Sequence, residues 1–114
     1  MIGLRVGDIV SVEFPFSDLQ THKRRPGLVL VSGNLDLLVA RVTTHPPREP
    51  SDISLKYWAE SGLPRASTVR LTKIATIDNR LVHHRIGRLH ADDARNVAQA
   101  WQQIVAMFAT ESLK

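Results

Sequence analysis

The last quarter of the chain carries one sustained helical period. Val97, Trp101, Ile104, Val105 and Phe108 recur at spacings of three and four, with Ala94 and Ala98 in the same stripe. Asp92 stands where an N-cap belongs, and Asp93 suits the positive end of the helix dipole. This predicts one amphipathic helix of about five turns from Asp92 onward. Such a stripe has to be covered, and nothing upstream has a comparable helical period. The helix is therefore expected to pack across an open side of a sheet.

The rest of the chain reads as short strands. Residues 8–14 (DIVSVEF), 27–32 (GLVLVS), 36–43 (DLLVARVT), 67–77 (STVRLTKIATI) and 81–89 (LVHHRIGRL) are rich in apolar and β-branched side chains. Residues 27–32 form a continuous apolar run, as in a strand covered on both faces. In 36–43, alternation puts Leu38, Ala40, Val42 and Thr44 on one face and Leu37, Val39, Arg41 and Thr43 on the other. The alternation of 67–77 slips near Lys73 and Ile74, which predicts a bulge or bend. Between the strands, 15–26 reads as a long hairpin-type loop, Gly33-Asn34 as a turn, and 45–54, with Pro46, Pro47 and Pro50, as a loop. Residues 55–62 fit a helical turn closed by Gly62, and 81–89 read either as a final strand or as a short strand with a turn at Gly87. Close-spaced strands followed by one helix point to a mainly β fold with helices: a small, bent antiparallel barrel of SH3-like type with a long C-terminal helix.

A chain of 114 residues has room for one core, so residues 1–114 are expected to form a single domain. There are no cysteines, which removes disulfides, thiolate metal sites and a cysteine nucleophile. No signal peptide or membrane-length apolar run is visible, and a soluble cytoplasmic protein is the expectation. Lys+Arg number 15 against 11 Asp+Glu, for a net charge of +4. Arginine dominates the basic set, which favours a phosphate-bearing partner through its planar, forked guanidinium. Residues 1–60 are balanced, whereas 61–91 hold Arg65, Arg70, Lys73, Arg80, Arg85 and Arg88 against Asp78 alone. That stretch is either a solvated basic face or an electrostatic footprint.

Individual residues narrow the chemistry. In KRRP, Arg25 precedes Pro26, which holds it extended at a strand entrance; its fork suits a phosphodiester. Thr43 ends a strand on the face that carries Arg41. Ser67 opens a later strand. His22 and His45 lie in loops near Arg25 and Thr43, where an imidazole can carry a proton at neutral pH. Trp101 belongs to the helix stripe, whereas Trp58 either stacks on a base or packs over its loop. His83-His84 would point to opposite faces of a strand, poor geometry for one metal. No metal or nucleotide motif occurs, so neither metal nor cofactor is expected.

Taken in order, GDIV at 7–10, FPFSD at 14–18, KRRPGLVL at 23–30, VARVTT at 39–44, KYWAESGL at 56–63, STVR at 67–70, KIATID at 73–78 and IGRL at 86–89 resemble the MazF/PemK-like toxin family of type II toxin–antitoxin pairs. The FPF variant and the WAxxGL stretch look most like its PemK-like branch. The resemblance implies an SH3-like barrel with a C-terminal helix, usually a homodimer. It implies a metal-independent endoribonuclease cutting single-stranded RNA, restrained by an antitoxin whose acidic, flexible segment lies in the RNA groove. It assigns catalysis to Arg25 and Thr43, and at most a supporting role to Ser67. Lys23, Arg24, Arg41, Thr44, Arg70 and Trp58 join Ser67 as candidate substrate-binding residues, with His22 or His45 for proton transfer. Many relatives have Thr-Ser where this chain has Thr43-Thr44; alternation favours Thr43. Two other readings stay open: a CcdB-like gyrase poison of the same fold without a nuclease site, and an SH3-like nucleic-acid-binding module.

Overall fold

The computed structural model describes residues 3–14 and 23–114. Six strands, β1 (Asp8–Val12), β2 (Arg25–Ser32), β3 (Asp36–Thr43), β4 (Asp52–Ser54), β5 (Thr68–Asp78) and β6 (His84–Arg88), are followed by helix α1 (Ala91–Ser112). The strands form one antiparallel sheet in the order β4-β5-β3-β2-β1-β6. The mainly β fold with a C-terminal helix is as the sequence predicts. The short edge strand β4 falls within the expected loop 45–54: its three residues sit behind Pro46, Pro47 and Pro50, too few to set up an alternation.

Both faces of the central strands are covered, because the sheet coils around two apolar clusters. Ile9, Leu28, Ala40 and Val42 enter one cluster with Leu63, Val69, Leu71 and Val97. Val10, Val12, Val29, Leu37 and Val39 enter the other with Phe14, Ala75 and Ile77. Alternation along β1, β2 and β3 sends successive residues to opposite clusters, as expected for β3. In β5, Val69 and Leu71 share the first cluster, but Ala75 and Ile77, of the same parity, lie in the second. The switch occurs where Arg41 pairs with Arg70 while the next residue, Ala40, pairs with Ile74. The slip read at Lys73–Ile74 is this irregularity, and it bends the sheet.

Gly27 is pinned by packing. A Cβ there would lie 2.3 Å from Val39 Cγ1 and 2.9 Å from Phe14 Cζ. Gly87 follows the strand reading of 81–89 and not the turn. It lies inside β6, where a Cβ would sit 2.0 Å from the Ser61 carbonyl oxygen. The true irregularity of β6 is its neighbour Ile86, skipped between the pairs Ile9–Gly87 and Val10–Arg85.

Helix α1 is capped two residues earlier than expected. His90, not Asp92, is the N-cap: its Nδ1 accepts the Asp92 N–H at 3.1 Å, and its ring stacks on Tyr57. Asp93 is buried, and its carboxylate accepts the N–H groups of Lys56 and Tyr57, both at 2.9 Å. That clamp ties the 56–63 segment to the helix start. The stripe is covered only in part. Val97 is buried, and Ala94, Ala100, Trp101 and Ile104 pack against the first cluster. Val105 and Phe108 are 55% and 74% exposed, contrary to expectation, because the 22-residue helix runs on past the apolar surface beneath it.

One ion cluster fixes β6 to β1. The Asp8 carboxylate, 1% exposed, accepts the Arg5 N–H at 2.7 Å, Arg85 Nε at 3.1 Å and Arg88 Nη1 at 3.0 Å. Burial pushes its pKa up, but the Arg5 N–H and the two guanidiniums outweigh burial and hold the carboxyl below its ordinary value. Stability from a depressed carboxylate is complete above the unfolded-state pKa and is lost as pH falls through the folded one. Through Asp8, urea midpoints should therefore be insensitive to pH near neutrality and fall below about pH 4. Asp8→Ala should cost about 2 kcal/mol at pH 7 and flatten that acid limb.

Candidate functional site

The ends of β2 and β3 and the segment leading into β5 enclose a groove of about 460 Å³. It is lined by Arg25 and Pro26 from β2, Arg41 to His45 from the end of β3, and Leu63, Pro64, Arg65 and Ser67. Strand register brings these together. Gly27 pairs with Arg41 and Leu28 with Ala40, so the same register carried two places further sets Arg25 opposite Thr43. Thr43 in turn pairs with Thr68, and Arg41 with Arg70. Arg25, Thr43, Arg41 and Arg70 thus occupy neighbouring positions on three adjacent strands.

The electrostatics of this corner are one-sided. The Nε atoms of Arg25 and Arg41 are buried without a hydrogen-bond partner among the described residues. Burial, then the positive charges of Arg25, Arg70 and Arg48, push the Arg41 pKa below its ordinary value. Four guanidiniums are crowded together with one buried carboxylate, Asp52, at the far side: its Oδ1 lies 3.5 Å from Arg70 Nε. Such crowding is relieved by an anion, and a fork with unpartnered N–H groups offers it a planar grip. Thr43 Oγ1 accepts the His45 N–H at 3.3 Å, which leaves its own hydroxyl proton free to donate.

The remaining candidates separate cleanly. Arg41, Thr44, His45 and Ser67 share the groove with Arg25 and Thr43. Ser67 is buried and donates its hydroxyl to the Arg65 carbonyl at 2.8 Å, so it shapes the wall. Lys23 and Arg24 are exposed just outside, and Arg70 is set back against Asp52. Trp58 is not in the groove: its ring packs against the first cluster, the blander of its two readings. His22 and most of FPFSD lie outside the described residues.

The basic stretch 61–91 does not act as one footprint. Arg85 and Arg88 bind Asp8, and Arg80 binds Asp78, leaving Arg65 in the groove and Arg70 set back behind it against Asp52. Arg65 lines the groove and Arg48 lies near Arg41 behind it; neither is among the sequence candidates for the site, and Arg65 stands there only as one member of the basic stretch. Among the described residues, no group of three or more His, Asp or Glu is placed to hold a metal, and no helix is long and apolar enough to cross a membrane.

The chain matches the family model of PemK-like, MazF-like toxins of type II toxin–antitoxin systems over residues 5–105. It belongs to that family. Solved structures agree on the fold of this PemK/MazF-like toxin. An endoribonuclease from a mycobacterial species, in complex with its cognate antitoxin, superposes with a TM-score of 0.73 at 15% identity, covering 91% of this chain and 96% of that one. The Mycobacterium tuberculosis toxin MazF-mt6 gives 0.66 at 23% identity, covering 82% and 90%. MazF in the MazE-MazF complex of Deinococcus radiodurans gives 0.69 at 20%, covering 90% and 94%. No curated protein matches the chain in sequence.

Proposed function

We propose that this toxin is an endoribonuclease that cuts single-stranded RNA at short sequences without a metal. The observation that carries the reading is the pair of guanidiniums, Arg25 and Arg41, with unpartnered Nε atoms beside the Thr43 hydroxyl in one groove. Family membership supports it, as do the structural neighbours described as endoribonucleases.

RNA brings its own nucleophile. The 2′-oxygen attacks the adjacent phosphorus, a 2′-O–P bond forms, and the P–O5′ bond breaks. A 2′,3′-cyclic phosphate and a 5′-hydroxyl result, the proton of the 2′-hydroxyl ending on the departing 5′-oxygen. What a protein adds is orientation and stabilisation of charge growing on the phosphoryl oxygens. Arg25 and Arg41 grip those oxygens, and Thr43 donates a hydrogen bond to the same group. His45, next to Thr43 at the groove mouth, is the proton carrier in this scheme.

The same cations suit an acidic, flexible antitoxin segment, and two neighbours are antitoxin complexes. The exposed end of α1, with Met107 63% and Phe108 74% exposed, suits a homodimer or another protein partner. On this reading the protein works in the cytoplasm, where RNA and an antitoxin would meet it.

The test is incubation with a long single-stranded RNA in EDTA, beside Thr43→Val. Discrete cutting by wild type and a rate about 10- to 100-fold lower in the variant are expected, since Val keeps the shape and removes one transition-state donor. Intact RNA with gyrase inhibited would favour the gyrase poison. Salt-sensitive binding without cutting would favour a binding module.

A further inference from the structure

Two of the crowded cations, Arg48 and Arg70, are tied to a residue that, like them, stands behind the groove wall. Asp52 sits on edge strand β4, paired with Arg70, which pairs in turn with Arg41. Its side chain is 1% exposed. Oδ2 accepts the Arg48 N–H at 2.9 Å, while Oδ1 faces Arg70 Nε at 3.5 Å. The loop that carries Arg48 is closed by the Asp52 N–H on the Glu49 carbonyl at 2.9 Å. It is fastened to the irregular part of β5 by Thr72 Oγ1 on Glu49 Oε1 at 2.8 Å and by the Leu71 N–H on the Ser51 carbonyl. One buried carboxylate therefore touches two of the four crowded cations, Arg48 through its backbone and Arg70 through its side chain. Arg25 and Arg41 are left uncompensated.

We propose that Asp52 is a positioning residue: as counter-ion to Arg70 and anchor of the Arg48 loop, it holds the cluster so that Arg25 and Arg41 face the substrate phosphate and Arg70 does not. This rests on the groove taking an RNA phosphate. Without the charge of Asp52, Arg70 is released. Repulsion from it displaces Arg41, while one more free cation becomes available to a polyanion. The consequence is a split: RNA binding gains salt dependence while turnover falls. A residue that merely supported the fold would lower the active fraction without changing the salt slope.

The test compares wild type, Asp52→Asn and Asp52→Glu in two assays. One is salt-dependent binding of a single-stranded oligonucleotide whose 2′-oxygens are methylated and cannot attack. The other is turnover of the cleavable RNA. In Asp52→Asn, the slope of log K against log salt should steepen by about 0.7, the value of one further phosphate neutralised on a single strand. Its kcat should fall at least tenfold, and Asp52→Glu should recover both. Unchanged slope and unchanged kcat overturn the proposal, as does a fall in kcat with the slope unmoved. If Asp52→Asn melts below the assay temperature, Arg70→Gln removes the pair from the other side. With no cation left to be released against Arg41, a kcat close to wild type and no steeper slope then support the proposal, and a kcat at least tenfold lower overturns it. If wild type binds the blocked strand but never cuts, the ribonuclease reading fails, and the slope alone still decides the role of Asp52.

Discussion

Replacing Arg25 by alanine is expected to slow RNA cleavage about 10³-fold, the scale of losing an arginine that stabilises phosphoryl charge in the transition state. The fold should not suffer. The Arg25 Nε has no partner among the described residues, and its charge is one of those that push the Arg41 pKa down. Removing it relieves repulsion, so the melting midpoint should hold or rise slightly. Arg25→Lys separates charge from geometry. An ammonium keeps the charge but presents no planar fork, so about 10²-fold of the loss should remain. Single-turnover cleavage beside thermal melts checks both variants. A lysine variant at wild-type rate would mean that bare charge suffices.

Gly87→Ala should produce the largest loss of stability, about 3 kcal/mol or more. The added Cβ would lie 2.0 Å from the Ser61 carbonyl oxygen and 2.8 Å from its carbon, and those are backbone atoms with no rotamer to yield. Ser61 is wholly buried, and its neighbour Gly62 already occupies φ +90°, with the Ile86 carbonyl oxygen 2.7 Å from where its own Cβ would be. The two chains can separate only by moving the 61–62 segment off β6. That segment leads directly into Leu63, Pro64 and Arg65, which wall the groove. Denaturant unfolding should therefore show the loss, and hydrogen exchange should quicken at the Leu63 N–H, which is bonded to the Trp58 carbonyl at 3.1 Å. A wild-type unfolding midpoint would contradict this packing.

What could be read from the sequence follows from what is local. Apolar and β-branched runs mark β1, β2, β3, β5 and β6, and the parity slip at Lys73–Ile74 marks the bend that passes β5 from one cluster to the other. Proline after Arg25 and alternation through Thr43 placed two groove residues correctly, because strand geometry alone decides their face. Long-range features were not legible. Arg65 reaches the groove through the 56–63 segment, and Arg48 comes up behind it through the loop before β4; nothing local to either residue places it there. Conversely, the run 61–91 dissolves because Asp8, far away in sequence, neutralises Arg85 and Arg88. Asp93 suggested a dipole role, yet its carboxylate binds backbone 36 and 37 residues away. Trp58 offered an aromatic that could stack on a base, and the first cluster took it.

The central claim is that guanidinium and hydroxyl groups direct the RNA's own 2′-oxygen onto its phosphate. The ends of the cut strands test it most directly. Wild-type protein should, in excess EDTA, leave a 2′,3′-cyclic phosphate on one fragment and a 5′-hydroxyl on the other, read by mass spectrometry of a short cleaved RNA. Fragments ending in 3′-hydroxyl and 5′-phosphate, or cutting that stops in EDTA and returns with magnesium, would contradict it.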